Sequence, residues 1–262
     1  MTKIHLETFG KGKSIVLVHG WAMHTGIWRE FAQCLALNYQ VICVDLPGHG
    51  QSDKIEPFTL ERISDELVNA LPKEACCWLG WSLGATVVLD IAARYPERVT
   101  ALILLAGNPS FSHSSVETNE WPGMDNRLLD NFASHLANNC QATLLRFLSL
   151  QVSGLPQHKV FLKKLKSAVL ECAAPDKKTL QGGLDILKQK DLRSILSRLN
   201  IPVSVILGGL DTLVPVAVGQ KMQLLFPRLE LNIIDRAGHL PFLSHSLETR
   251  AIISRFMDER CN

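Results

Sequence analysis

Three residues spread over two thirds of the chain carry the types needed for acyl transfer: Ser82, Asp211 and His239. Ser82 lies in Gly80-Trp81-Ser82-Leu83-Gly84, a G-x-S-x-G pattern. Glycines on both sides permit the tight turn that lifts a serine hydroxyl above its surroundings. A serine hydroxyl needs a base, and histidine, with an unperturbed pKa of ~6.5, suits the task. His239 stands in Arg236-Ala237-Gly238-His239-Leu240-Pro241, just beyond an apolar run, and is preferred to His245, which reads as part of a final helix. An acid is then required to hold the imidazole tautomer and to stabilise the imidazolium. Asp211 ends Leu207-Gly208-Gly209-Leu210-Asp211 after the preceding apolar run. Asp235 is its rival, only four residues from His239 and so poorly spaced to reach the far ring nitrogen.

The flanking pattern supplies elements to position these groups. Ile15–Val18, Val41–Val44, Cys76–Leu79, Val99–Leu105, Val203–Leu207 and Leu229–Ile234 are short apolar runs, most of them closed by a glycine or a turn. Such runs read as buried parallel strands. Helical patterns at Trp28–Leu37, Leu60–Leu71 and Leu83–Tyr95 alternate with them, the last stopped by Pro96. Strand–helix alternation predicts a doubly wound, mostly parallel sheet. From about Ser112 to Lys190 no strand-like run occurs, and helical stretches near Arg127–Leu136, Thr143–Leu150, Lys159–Leu170 and Lys178–Leu187 take over.

Ser82 thus falls between a strand and a helix, and the order serine, acid, histidine along the chain is that of the α/β-hydrolase fold. The expected architecture is an α/β core over residues 1–111 and 191–262, with an inserted helical cap, or lid, over 112–190. Sites in such sheets lie at the carboxyl ends of the strands, where this insertion would sit. The Leu83 N–H at a helix start can donate to an oxyanion. Trp21, in His19-Gly20-Trp21 after the first central strand, supplies the second backbone N–H, with His19 read as a histidine that orders the loop.

Composition restricts the alternatives. The 262 residues carry 47% hydrophobic and 20% charged residues and a net charge of +2, as for an ordinary soluble enzyme. No nucleic-acid partner and no membrane partner is expected, since the longest weakly polar run, near Ala75–Leu89, is broken by Gly80, Ser82 and Gly84. The seven scattered cysteines have no metal-like spacing and read as reduced thiols, Cys76 and Cys77 on opposite faces of a strand. No metal and no cofactor are expected, and the protein is read as a cytoplasmic monomer.

Charge is unevenly placed. Between Gly154 and Lys190 eight lysines meet only Glu171, Asp176 and Asp185, so this segment nets +5 and the remainder −3. Lys159, Lys163 and Lys166 share one helical face. A basic lid would steer an acidic partner, although a solvated lysine face gives the same pattern.

Several segments together resemble the pimeloyl-[acyl-carrier protein] methyl ester esterases of bacterial biotin synthesis. They are His19-Gly20-Trp21 with Trp28, Trp78 to Gly84, Glu120-Trp121-Pro122-Gly123, Arg146-Phe147-Leu148-Ser149-Leu150-Gln151, Gly182-Gly183-Leu184-Asp185-Ile186-Leu187, and Gly208 to Pro215. The resemblance implies a serine carboxylesterase that releases methanol from a pimeloyl methyl ester borne by an acyl carrier protein. It implies Ser82, Asp211 and His239 as catalytic residues, and Trp21 and Leu83 as oxyanion and substrate contacts. It also implies Phe147, Leu148, Ser149, Leu150 and Gln151 as the substrate-lining cap segment. Carrier-docking positions fall on Arg146, Lys159 and Lys163, with Lys166 continuing their face and Ala142 standing where the family carries a basic residue. A general carboxylesterase acting on small free esters is the alternative that fold alone leaves open.

Overall fold

The computed structural model describes residues 2–113 and 121–261; Glu120 of the resemblance motif lies outside them. In chain order the elements begin with β1 (Leu6–Phe9), β2 (Ser14–Val18), α1 (Arg29–Leu35), β3 (Gln40–Val44), α2 (Leu60–Ala70) and β4 (Cys76–Trp81). Next come α3 (Leu83–Arg94), β5 (Val99–Leu105), β6 (Ser112–His113) and β7 (Met124–Asp125). The helices α4 (Asn126–Asn138), α5 (Cys140–Gln151), α6 (His158–Val169), α7 (Lys177–Gln189) and the single turn α8 (Arg193–Leu196) follow. The chain closes with β8 (Val203–Gly208), α9 (Val216–Leu225), β9 (Glu230–Ile234), the turn α10 (Pro241–Ser244) and α11 (Ser246–Arg260).

Seven strands form one sheet in the order β1-β3-β2-β4-β5-β8-β9. Every neighbouring pair is parallel except β1 with β3. The pleat sorts each apolar run onto two cores. Val16, Val18, Ile42, Val44, Trp78, Leu102 and Leu104 face one, while Ile15, Leu17, Val41, Cys43, Cys77, Leu79 and Ile103 face the other. Both faces are covered by helices, which is why these strands read as continuous apolar runs. Cys76 packs against the first core and Cys77 lies in the second, as expected of adjacent strand residues.

Two departures from the sequence reading have simple causes. The antiparallel edge strand β1 alternates Leu6, Glu7, Thr8 and Phe9 and is only half-buried, so its apolar signal is faint. The helical block, expected to hold no strand, opens on the two-residue parallel pair β6–β7. That pair is too short to show any periodicity.

The helices between β5 and β8 rest on the loops at the carboxyl ends of the central strands. The Trp21 indole N–H donates to the Leu180 carbonyl at 2.9 Å, and the Trp21 ring meets Phe147 edge-on at 4.8 Å. His24 Nε2 lies 2.6 Å from the Ala168 carbonyl, and Arg29 pairs with Glu171 at 2.9 Å.

His19 holds these loops from below. Its Nε2 accepts the Leu46 N–H at 3.0 Å, so its Nδ1 carries the proton and donates to the Gly20 carbonyl at 2.8 Å. The loop after β2 is thereby tied to the loop after β3. His49 lies behind it, ring centroids 5.3 Å apart, with its Nδ1 3.0 Å from the Pro47 carbonyl. Burial lowers the pKa of each of these histidines to about 3.

Below pH 6.5 the unfolded chain binds protons that the folded histidines refuse, so stability is full above that pH and falls as pH drops toward 3. At pH 4.5 each histidine should cost roughly 2–3 kcal/mol relative to pH 7. Urea midpoints at the two pH values measure this, and His49→Phe should remove about half of the histidine contribution to the acid slope.

Candidate active site

The turn from β4 into α3 is forced by close backbone approach. Ser82 has φ 56° and ψ −117°, a conformation costly for any residue with a Cβ. A Cβ on Gly80 would lie 2.2 Å from the Gly84 carbonyl oxygen, and one on Gly84 2.3 Å from that of Val18. Only glycine fits at either position. The Ser82 N–H is anchored on the Leu105 carbonyl at 3.1 Å, and the Ser82 carbonyl accepts from the Ala85 N–H at 2.9 Å. Hydrogen bonds to β5 and to the helix start therefore hold the strained residue in place.

Asp211 follows β8 and His239 follows β9, and the fold brings them together at 2.8 Å between Asp211 Oδ2 and His239 Nδ1. Asp211 Oδ1 accepts the N–H groups of Leu213 at 2.8 Å and Val214 at 3.0 Å. Three donors suit an ionised carboxylate, which fixes the proton on His239 Nδ1 and leaves Nε2 as the lone-pair nitrogen. His239 Nε2 is buried and has no hydrogen-bond partner among the described residues. It therefore makes no hydrogen bond to the Ser82 hydroxyl in this structure, a looseness common where substrate is absent. The two rivals lie elsewhere: Asp235 is exposed, and His245 turns its Nδ1 to the Ser244 hydroxyl at 2.9 Å.

The loop carrying Trp21 backs directly onto the serine, since a Cβ on Gly20 would lie 3.2 Å from Ser82 Cβ. Leu83 is the first residue of α3, where helix N–H groups have no intrahelical partner. Neither the Trp21 nor the Leu83 N–H reaches an acceptor among the described residues. The sequence reading missed Trp81, whose indole N–H donates to the His239 carbonyl at 2.8 Å. Its place beside Ser82 in the G-x-S-x-G pattern was the available signal. Nothing in the sequence marks the Leu213 and Val214 amides that hold Asp211.

The run from Phe147 to Gln151 is divided between the faces of α5. Phe147, Leu148 and Gln151 are buried, whereas Ser149 lies on the outer face of α5 and donates its hydroxyl to the Leu145 carbonyl at 2.8 Å. Leu150 is half-buried against the first core. Helical periodicity separates residues that are contiguous in sequence. Gln151 Oε1 is buried without a partner among the described residues, and the Gln151 carbonyl packs beside Gly238, the neighbour of His239.

Away from these residues, two groups stand out among the cap cations. Lys164 pairs with Glu30 at 3.4 Å and Lys178 with Glu56 at 2.6 Å, while Lys188 and Lys190 bond Asp130 and Glu61. Arg146, Lys159, Lys163 and Lys166 have no carboxylate partner among the described residues. Arg146 instead places its guanidinium 5.6 Å from the centre of the Phe132 ring.

Residues 13–246 match a family model described as alpha/beta hydrolase fold. A pimeloyl-[acyl-carrier protein] methyl ester esterase of Methylococcus capsulatus is 38% identical over 254 residues, covering 97% of this chain and 98% of the relative. One from Nitrosomonas europaea is 39% identical over 246 residues, covering 93% and 95%. Among solved structures, an esterase from Exiguobacterium antarcticum superposes with a TM-score of 0.87 at 21% identity, covering 98% of this chain and 96% of that one. A bromoperoxidase from Bacillus anthracis superposes with a TM-score of 0.86 at 23% identity, covering 98% and 96%, and likewise shares the fold. His239 and Asp211 bond each other beyond the ends of β9 and β8, Ser82 follows β4 of the same sheet, and the chain belongs to the α/β-hydrolase fold family and, within it, to the pimeloyl-[acyl-carrier protein] methyl ester esterases, as a carboxylic-ester hydrolase.

Proposed function

We propose that the protein hydrolyses the methyl ester of a pimeloyl chain held on an acyl carrier protein, releasing methanol and the pimeloyl-carrier in biotin synthesis. The observation that carries this reading is the likeness, over nearly the whole chain, to relatives named for that reaction. The unpaired cations Arg146, Lys159, Lys163 and Lys166 support an acidic partner on the cap. Seven free thiols accord with a cytoplasmic setting.

In this mechanism His239 Nε2 takes the Ser82 hydroxyl proton as Oγ attacks the ester carbonyl. The Trp21 and Leu83 N–H groups receive the oxyanion, and the Asp211 carboxylate stabilises the imidazolium. Collapse of the tetrahedral intermediate breaks the bond to methoxide, which takes the proton from His239 and leaves as methanol. Water then gives its proton to His239 and attacks the acyl-enzyme. His239 returns that proton to Ser82 Oγ as the acid is released. Phe147 and Leu148 supply apolar surface for the chain methylenes.

Two measurements test this. Ser82→Ala should lower kcat by on the order of 10⁴–10⁶. Asp211→Asn, which leaves the histidine in the wrong tautomer, should lower it by about 10⁴. Near-normal turnover in either variant would remove that residue from the mechanism. The second compares the carrier-bound ester with free dimethyl pimelate. Replacing Lys159, Lys163 and Lys166 by glutamate should raise KM for the carrier-bound ester by about tenfold or more and leave the free ester unchanged. Equal kcat/KM for the two esters in the unmodified protein would instead assign it to small free substrates.

A further inference from the structure

Trp81 ends β4, in register with Leu105 of β5, and its side chain is fully buried. It turns to the face of the sheet opposite Trp78, into the core that also holds Trp28 and Phe242. Its indole meets two loops at once. The Nε1–H donates to the His239 carbonyl at 2.8 Å. The six-membered ring backs onto the loop from His19 to Trp21, where a Cβ on Gly20 would lie 3.2 Å from Trp81 Cε3 and Cζ3. A rigid aromatic side chain thus spans the gap between those loops.

The main chain at His239 has few other holds. The loop after β9 is fixed at Ala237, whose carbonyl accepts the Leu210 N–H at 2.8 Å. It is fixed again at Leu240, whose carbonyl accepts the N–H groups of Leu243 at 3.1 Å and Ser244 at 3.0 Å. Between these points Trp81 makes the one hydrogen bond to the main chain of residues 238 and 239 among the described residues. Phe242, three residues beyond the base, packs edge-on against the same indole with ring centroids 5.2 Å apart. Trp81 therefore grips this loop twice, while its own backbone is fixed in the sheet and continues directly into Ser82. Serine and grip share one frame, and a misplacement of about 1 Å in such a frame can cost on the order of 10²-fold in rate.

Trp28 provides the contrast. It lies in the same aromatic cluster, with its ring 6.1 Å from Trp81 and 4.3 Å from Phe242. Its indole N–H has no partner among the described residues. Packing is common to both tryptophans, and the bond to the base's loop belongs to Trp81.

We propose that Trp81 is a positioning residue for the hydrolysis, its indole N–H holding the His239 main chain at the depth from which Nε2 reaches the Ser82 hydroxyl. It acts through His239. The inference rests on Ser82, Asp211 and His239 being the catalytic groups.

Paired substitutions separate the hydrogen bond from the packing. Trp81→Phe and Trp28→Phe make the same change in the same core, and the first also removes this bond. Both should lower Tm, since each trims a buried ring. With dimethyl pimelate as substrate, Trp81→Phe should lower kcat roughly 10–100-fold at unchanged KM, and Trp28→Phe should leave kcat as it is. Benzothienylalanine at position 81, with sulfur in place of the indole N–H, keeps the ring and should lower kcat as far as Trp81→Phe does. Proton NMR gives a second readout: the downfield resonance of the His239 Nδ1–H bonded to Asp211 should broaden or vanish in both position-81 variants and persist in Trp28→Phe. An isostere that turns over like the unmodified protein overturns the proposal, whatever Trp81→Phe does. An equal loss of kcat in Trp28→Phe also overturns it and leaves Trp81 a packing residue. Near-normal turnover in Ser82→Ala would instead remove the catalytic reading on which the inference stands.

Discussion

The contact between the turn at residues 80–84 and the end of β2 governs the geometry of the whole site. Gly84 lies against the Val18 carbonyl and Gly80 against Gly84, closer than any side chain allows. This contact drives Ser82 into φ 56°. Strain of this kind costs on the order of 1–3 kcal/mol and persists only where the surroundings over-determine it. Here the surroundings are the centre of a sheet whose strands are buried on both faces, with β2 and β5 flanking β4. The same approach sets the loop from His19 to Trp21 beside the serine, so one constraint positions the hydroxyl and both backbone donors.

The remaining groups are referred to that turn by hydrogen bonds of very different sequence separation. Trp81, one residue from the serine, reaches the His239 carbonyl. His239 reaches Asp211, and Asp211 is held by the amides of its own loop. His19, buried and neutral, joins the loops after β2 and β3 from beneath. Each link spends a buried polar group on another buried polar group, which is the condition for retaining them in an apolar interior. Within this chain of bonds His239 Nε2 has no partner among the described residues, and it is the ring nitrogen opposite the Asp211 bond.

The cap helices divide by face: Phe147, Leu148 and Gln151 turn toward the core, and Arg146 and Ser149 turn outward. The cap cations divide between those neutralised by carboxylates of the core or cap and Arg146 on α5 with Lys159, Lys163 and Lys166 on α6, which meet no carboxylate among the described residues. An electrostatic surface built from such cations acts at long range.

Much of this was legible in the sequence. Five strands, β2, β3, β4, β5 and β8, are apolar runs because they are buried on both faces, and the helical block between β5 and β8 shows its own 3.6-residue period. Ser82 could be read from its glycines, since a backbone contact of this kind excludes every other residue. Asp211 could be preferred to Asp235 from its spacing, but the Trp81 bond to His239 and the pairing of some lysines and not others came only from the tertiary structure. The physical reason is common to both. Periodicity and turn chemistry are local properties of the chain. Which carboxylate meets which ammonium, and which carbonyl meets the Trp81 indole, depends on segments brought together across 58 to 158 residues, and no local pattern encodes that meeting.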